Sequence, residues 1–373
     1  MSRYSEILDG YRAEGRLRSI PAEAPEGVMD LSSNDYLGLA RRRDLVDEFL
    51  KEVPLPPFTS VASRLLASRQ SEYDALERWL AGEYGKSVLL FNSGYHANTG
   101  CVSALAVEGT AIVADKLVHA SIIDGIKLGN ASLRRFRHND LNSLRRELEK
   151  ASAQAERVLL IVESVYSMDG DMAPLREIVE MKLEFPKVML YVDEAHAVGV
   201  YGERGLGVCE ESGILPQVDL LVGTFGKACA SMGAFAATSR ELREFLLNSA
   251  RSFIFSTALP PVNVAYTRFM LGKIKEMTEE RRHLAQISRR FREGVSELTG
   301  MANVSSSQIV PLMAGSNSRA MEMSEALRRR GILALPIRRP TVPAGTERIR
   351  FSLNASLTDA DIDRLLDIIS EIV

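Results

Sequence analysis

Two spacings of apolar residues alternate along the middle of the chain, from about residue 72 to residue 225. "DALERWLAGEYG" (74–85) reads as a helix ending at Gly85, and "SVLLF" (87–91) as a strand. A helix over "ANTGCVSALAV" (97–107), a strand over "AIVAD" (111–115) and a charged surface helix over "LNSLRRELEKA" (141–151) follow. Then come "RVLLIVESV" (157–165), "VMLYVDEA" (188–195) and "LLVGTF" (220–225), short runs rich in Val and Leu. Continuous apolar runs of this kind, separated by helices, are what strands covered on both faces require. They predict an α/β domain with a mostly parallel sheet.

After about residue 260 the pattern changes. A long charged helix is predicted over 268–298, and its arginine-rich part, 281–292, reads as a solvated face. "QIVPLMAG" (308–315), a helix at 318–330, "ILALPI" (332–337) and "RIRFSL" (348–353) then suggest a smaller α/β domain with antiparallel strands. A last helix near 358–372 has Thr358 as its N-cap. At the other end, residues 4–18 read as an amphipathic helix and 19–28 as a Pro-containing connector. The expected organisation is an N-terminal segment (1–40), a large domain (41–260) and a small C-terminal domain (261–373).

Composition narrows the partners. A formal charge of -3 over 373 residues offers no basic face for nucleic acid. The three cysteines, Cys101, Cys209 and Cys229, cannot all pair and show no C-x-x-C spacing, which suits a reducing compartment. No apolar run approaches the ~18 residues of a membrane span, and the N-terminus lacks the apolar core of a signal peptide. A soluble cytoplasmic protein is expected, with neither nucleic acid nor membrane as partner.

The chemistry centres on "LLVGTFGKACASMGAF" (220–235), where Lys227 follows a buried strand. As a phosphate loop this stretch fails twice, because Leu221 stands at the required glycine and Ala228 at the required hydroxyl. A lysine leaving a buried strand has another use, as the amine of a Schiff base. Ligands of open parallel sheets sit outside the carboxyl ends of the strands, and those ends carry a matching set. Ser93, Gly94 and Tyr95 open a helix whose free N–H groups suit a phosphate. His119 follows "AIVAD", Ser167 follows "RVLLIVESV", Asp193 and His196 follow "VMLYV", and Thr224 precedes Lys227. Pyridoxal phosphate requires such a set: an amine for its aldehyde, donors for its phosphate, a flat partner over its ring and a buried carboxylate at its pyridine nitrogen. Asp193 is the candidate carboxylate, since a nearby negative charge favours the protonated nitrogen.

"SSNDYLGL" (32–39), "NSGYHAN" (92–98), "DKLVHAS" (115–121), "ESVYSMDGD" (163–171), "VDEAH" (192–196) and "TFGK" (224–227) occur in this order. Together they resemble the α-oxoamine synthases, pyridoxal-phosphate enzymes of the aspartate-aminotransferase fold (fold type I) that join an amino acid to an acyl thioester. The resemblance implies that Lys227 binds the cofactor and removes the amino acid's Cα proton. It implies that Asp193 pairs with the pyridine nitrogen, that His119 stacks on the ring and that His196 bonds the phenolic oxygen. Gly94, Tyr95, Ser167 and Thr224 would hold the cofactor, and Arg350 in "RIRFSL" would bind the substrate carboxylate. Arg18 and Thr341 match substrate-contacting positions. A homodimer is implied too, with Thr257 of "FSTALPP" (255–261) reaching a neighbour's cofactor phosphate.

Residues 317–353, notably "RRPTVPAGTERIR", are most similar to the members that condense L-alanine with pimeloyl-CoA or pimeloyl-acyl carrier protein. Members using glycine and acetyl-CoA are the alternative, and a non-catalytic partner subunit a weaker one, since such subunits lose the lysine. The sequence also departs from the family. "FTSVASR" (58–64) replaces a Gly-rich stretch, Tyr73 stands where relatives carry histidine, and "ACASMGA" (228–234) replaces a Gly-rich turn. These changes bear on the acyl donor rather than on the cofactor chemistry.

Overall fold

The computed structural model describes residues 2–18, 20, 23, 27–68 and 70–373. Most of the expected connector at 19–28 lies outside the described residues. The chain divides into two compact units, one of Leu37–Tyr166 and Met172–Arg281, the other of Met1–Tyr36, Ser167–Asp171 and Arg282–Val373.

The larger unit is built on a seven-stranded sheet. Its strands are β1 (Ser87–Phe91), β2 (Thr110–Asp115), β3 (Ser132–Phe136), β4 (Arg157–Glu163), β5 (Val188–Asp193), β6 (Leu220–Thr224) and β7 (Ala234–Thr238). They lie in the order β1-β7-β6-β5-β4-β2-β3, and β7 alone runs antiparallel to its neighbours. Strands β2, β5 and β6 are buried almost throughout, as their unbroken apolar runs require. Leu89, Ile112, Ile161, Tyr191 and Val222 join residues of the helices Gly94–Leu105 and Ala120–Lys127 in one core cluster. The three cysteines are buried and unpaired.

Two strands escape the apolar pattern. β3, "SLRRF", is an edge strand with mostly exposed positions, and β7, "AFAAT", is buried but made largely of alanine. The helix expected over 268–298 is in fact two, Pro261–Glu276 and Thr278–Thr299. Arg281, expected on a solvated face, explains the break. It is buried, and its guanidinium donates to the carbonyls of Ile274 (2.6 Å) and Glu203 (2.5 Å). The cation thus bonds a carbonyl in the first helix's last turn, which also accepts the Met277 N–H, and ties that turn to the loop at Glu203.

The smaller unit carries a three-stranded antiparallel sheet of β8 (Ile309–Met313), β9 (Leu335–Ile337) and β10 (Arg348–Ser352), in the order β9-β10-β8. "ILALPI" is therefore divided: Ile332–Leu333 leaves this sheet and pairs with Met29–Asp30. The N-terminal helix covers Arg3–Ala13, shorter than the expected 4–18. Thr358 caps the last helix, Asp359–Ser370, in a capping box with Asp361. Gly170 packs so closely on β8 that an added Cβ would lie 2.0 Å from the Ile309 carbonyl oxygen, so no other residue fits.

Candidate active site

In the larger unit the polar residues collect at the carboxyl ends of β1, β2, β4, β5 and β6, where a doubly covered parallel sheet leaves its ligand crevice. Lys227 sits in the loop between β6 and β7. That loop is closed by Phe225 N–H to the Gly233 carbonyl (2.9 Å) and Ser231 N–H to the Phe225 carbonyl (3.0 Å). Lys227 is half-buried, and its Nζ lies 2.9 Å from His196 Nε2. The neighbouring Cys229 takes no part as a nucleophile, because burial pushes its thiol up to about 12.

Asp193 ends β5 and is 4 % exposed. One carboxylate oxygen accepts the Ala195 N–H (2.9 Å), the other the Asn98 amide (2.7 Å). Both donors are neutral, and among the described residues no cation forms an ion pair with it. A buried carboxylate without a counter-cation is costly, which fits a site completed by a protonated ring nitrogen. Its sequence neighbour Glu194 has a different task. Successive side chains diverge at the strand end, and Glu194 accepts from Ser164 Oγ (2.7 Å) and from the N–H groups of Val208 (3.1 Å) and Cys209 (2.6 Å).

Asn98 was not singled out in the sequence. It is buried on the helix Gly94–Leu105, accepts from Tyr191 Oη (2.6 Å) and donates to Ser121 Oγ (3.0 Å) as well as to Asp193. Ser121 Oγ is also 2.7 Å from His119 Nδ1, so one chain of hydrogen bonds links the imidazole to the carboxylate. His119 caps the helix Ala120–Lys127. Its ring is open to solvent on one side, yet the surrounding protein lowers its pKa. Desolvation contributes most, and the Lys227 ammonium acts in the same direction against Asp193 and Asp124. A neutral imidazole is the result at pH 7.

Glu163 is a second residue not anticipated. It ends β4 directly opposite Asp193 in register, is buried, and accepts the His119 backbone N–H. Burial, then the Asp193 carboxylate, pushes its pKa well above the usual range. The only signal in the sequence was a carboxylate closing an otherwise apolar strand.

Gly94 opens its helix after the N-cap Ser93, whose Oγ accepts the His96 N–H (3.2 Å). A Cβ on Gly94 would touch Thr224 at 3.6 Å, so the helix start and Thr224 adjoin. Thr224 Oγ1 accepts from Gly226 N–H (3.2 Å) and donates to the Gly233 carbonyl (3.0 Å). Asn92 donates to the Thr257 carbonyl (2.6 Å). A helix N-terminus beside glycine and threonine suits a phosphate. Tyr95 is half-exposed, and its hydroxyl donates to Asp124 (2.8 Å). The amine, the buried Asp193 carboxylate and this donor set together match the groups of pyridoxal phosphate.

In the smaller unit Arg348 and Arg350 share one face of β10, two residues apart. Arg348 is salt-bridged to Asp169. Arg350, 3 % exposed, meets only neutral acceptors: the Ser167 carbonyl (2.6 Å), Ser352 Oγ (2.9 Å) and Asn34 Oδ1 (3.1 Å). Of the two it is the one that carries no carboxylate among the described residues. Arg18 donates to Thr341 Oγ1 (3.2 Å), so these two candidates meet on the surface. The departing residues have structural roles. Tyr73 is buried, with its hydroxyl on the Leu259 carbonyl (2.5 Å) and Ser60 (2.6 Å), and Arg64 lies over its ring at 4.3 Å.

Residues 26–369 match the model of the aminotransferase class I and II family. An 8-amino-7-oxononanoate synthase of Haemophilus ducreyi is 45% identical over 384 residues, covering 98% of this chain and 99% of that protein. Among solved structures, the serine palmitoyltransferase of S. paucimobilis with a bound PLP–myriocin adduct superposes with a TM-score of 0.88 at 30% identity, covering 99% of this chain and 96% of that one. The 8-amino-7-oxononanoate synthase of Francisella tularensis gives 0.77 at 28% identity, with 93% and 98% covered. The expected fold type I architecture, six parallel strands with one antiparallel, is the one these likenesses share.

Proposed function

The chain belongs to the class I and II aminotransferase family, and on that premise we propose that it is a pyridoxal-phosphate-dependent acyltransferase of biotin synthesis. Its substrates are L-alanine and a pimeloyl thioester, carried on coenzyme A or acyl carrier protein. The products are 8-amino-7-oxononanoate, CO₂ and the free thiol carrier. The observation that carries the reading is the Lys227 amine held 2.9 Å from His196, three residues along the chain from the buried Asp193, which forms no ion pair among the described residues. The choice of alanine and a pimeloyl group is supported by the likeness to the Haemophilus and Francisella proteins.

Lys227 would hold the cofactor through its amine, Asp193 would face the pyridine nitrogen, and His119 would cover the ring. His196 would bond the phenolic oxygen, while Gly94, Tyr95, Thr224 and Ser167 would bind the remaining oxygens. Bound pyridoxal phosphate supplies an electron-withdrawing ring that takes up charge developing at Cα. Arg350 grips the alanine carboxylate through two N–H groups, which sets the direction of the Cα bonds. Lys227 Nζ, released as a neutral amine, takes the Cα proton, and His196 Nε2 keeps that nitrogen in place. Neutral His119 adds no positive charge to the ring face. Arg18 and Thr341 contact substrate. The protein is a cytoplasmic homodimer in this reading. The exposed Leu55, Phe58 and Leu66, and Phe255 two residues before Thr257, offer apolar surface for a second copy.

The test is a product assay on the cofactor-loaded protein with alanine or glycine against pimeloyl-CoA, pimeloyl-acyl carrier protein and acetyl-CoA. The expected result is 8-amino-7-oxononanoate from alanine only, abolished in Lys227→Ala and with alanine KM raised at least tenfold in Arg350→Ala. Turnover of glycine with acetyl-CoA instead would move the protein to the ketobutyrate-forming branch. Turnover surviving Lys227→Ala would refute the assignment of the amine.

A further inference from the structure

The residues described above in the larger unit lie at the carboxyl ends of the parallel strands. A cavity of about 930 Å³ opens at the opposite ends of the same sheet, lined by Ser87, Thr110, Arg157 and Met189 where β1, β2, β4 and β5 begin. A six-residue strand is ~20 Å long, so the sheet itself separates this cavity from Lys227. Its size falls in the range of small-molecule sites.

Two kinds of surface meet there. Leu105, Met189 and Leu242 pack on the core cluster behind them and line the cavity in front, giving an apolar wall continuous with the core. Around that wall stand three cations, Lys86, Arg157 and Arg240, none of them ion-paired to a described carboxylate. Two carboxylates also line the cavity. Asp219 is already engaged by Lys182 Nζ (2.5 Å) and the Leu190 N–H (2.6 Å), while the exposed Glu241 is one carboxylate against three cations. Burial lowers the pKa of Lys86 more than Asp219 raises it, so a further negative group beside it would be favourable. Arg240 opens the ten-residue helix Arg240–Ser249, and a helix start favours anions. Thr110 supplies an independent sign of a missing partner. The residue is 7 % exposed and lines the cavity, and its Oγ1 has no hydrogen-bond partner among the described residues but is itself fully covered, so a ligand would reach it only after a rotamer change.

We propose that this cavity is a second ligand site, taking an anionic amphiphile: a carboxylate or phosphate monoester on an apolar chain. The head group would lie among Lys86, Arg157 and Arg240, and the chain along Leu105, Met189 and Leu242. Both halves are needed, because Arg157 and Arg240 are exposed and Lys86 only half-buried, so the charges hold a head group weakly without the apolar wall. Neither catalysis nor cofactor binding involves any of these residues.

Isothermal titration of the full cofactor-loaded protein tests this with octanoate and octyl phosphate, against octan-1-ol and inorganic phosphate as single-feature controls. One of the two amphiphiles should bind at one site per chain, at least tenfold tighter than either control, and the tighter of the pair identifies the head group. The triple variant Lys86→Gln, Arg157→Gln, Arg240→Gln should weaken that binding at least tenfold while leaving acyl-transfer turnover unchanged. Val107→Trp, which places a ring in the cavity mouth, should weaken it through a different route. Absence of amphiphile binding would overturn the proposal. So would binding that is unchanged in the triple variant, or that is lost only when Arg350 is replaced, since the probe would then occupy another site.

Discussion

Replacing Asn98 by alanine isolates the one residue that ties the helix start, the imidazole and the carboxylate together. Three hydrogen bonds disappear: Nδ2 to Asp193 (2.7 Å), Nδ2 to Ser121 (3.0 Å) and Tyr191 Oη to Oδ1 (2.6 Å). The first involves a charged acceptor, worth about 1.5–3 kcal/mol, and each of the others about 0.5–1.5 kcal/mol. The sum is roughly 2.5–6 kcal/mol, near the middle of that range here because the buried Tyr191 hydroxyl loses its partner while Asp193 keeps the Ala195 N–H and Ser121 keeps His119. Urea unfolding of the cofactor-free protein should therefore show a loss of about 4 kcal/mol. Cofactor affinity, followed by the visible absorbance on titration with pyridoxal phosphate, should fall as well, because Asp193 keeps only the Ala195 N–H to orient it. Asn98→Asp separates the two effects. It keeps the volume but sets a second carboxylate against Asp193, so cofactor binding should suffer more than in Asn98→Ala. A variant with wild-type stability and wild-type cofactor affinity would refute the positioning role.

Two further expectations come from other observations. Glu163 has its pKa raised in the folded state, so the native protein binds more protons than the unfolded chain once the pH exceeds the ordinary glutamate value of about 4.5, and stability falls as the pH rises from there toward the folded value. Glu163→Gln retains an acceptor for the His119 N–H and removes that fall, so its stability relative to wild type should increase from pH 5 to pH 8 in parallel urea series; a difference constant with pH would contradict the assignment. Val61 is 86% exposed with φ +48, a left-handed conformation that costs a β-branched residue about 1–3 kcal/mol, against about 0.4–1 kcal/mol of extra chain entropy for glycine. Val61→Gly should therefore stabilise the protein, and a lower urea midpoint would disprove the strain.

Sequence periodicity determined most of the strands buried on both faces, because an apolar run has few other places to go, though not the alanine-rich Ala234–Thr238. It also pointed to the candidate chemistry, because ligands gather where such strands end. Lys227, Asp193, His196 and His119 are candidates on that ground. The sequence was silent wherever a residue's role depends on a partner far along the chain. Asn98 looks like an incidental polar position on an apolar helix until Tyr191, 93 residues on, and Asp193, 95 residues on, are brought to it. Glu163 has its pKa raised by burial first and then by Asp193, which strand register places opposite it. The helix break at Met277 is invisible in a pattern that continues through it, since it is marked by Arg281 bonding back to the Ile274 carbonyl and across to Glu203, far away in sequence. Arg348 and Arg350 are equivalent by spacing, and only the tertiary structure distinguishes them, by giving Asp169 to one and neutral acceptors to the other. Local periodicity encodes which faces are apolar; the pairing of buried polar groups is a property of the folded chain, because desolvation makes each such group depend on whichever partner the fold delivers.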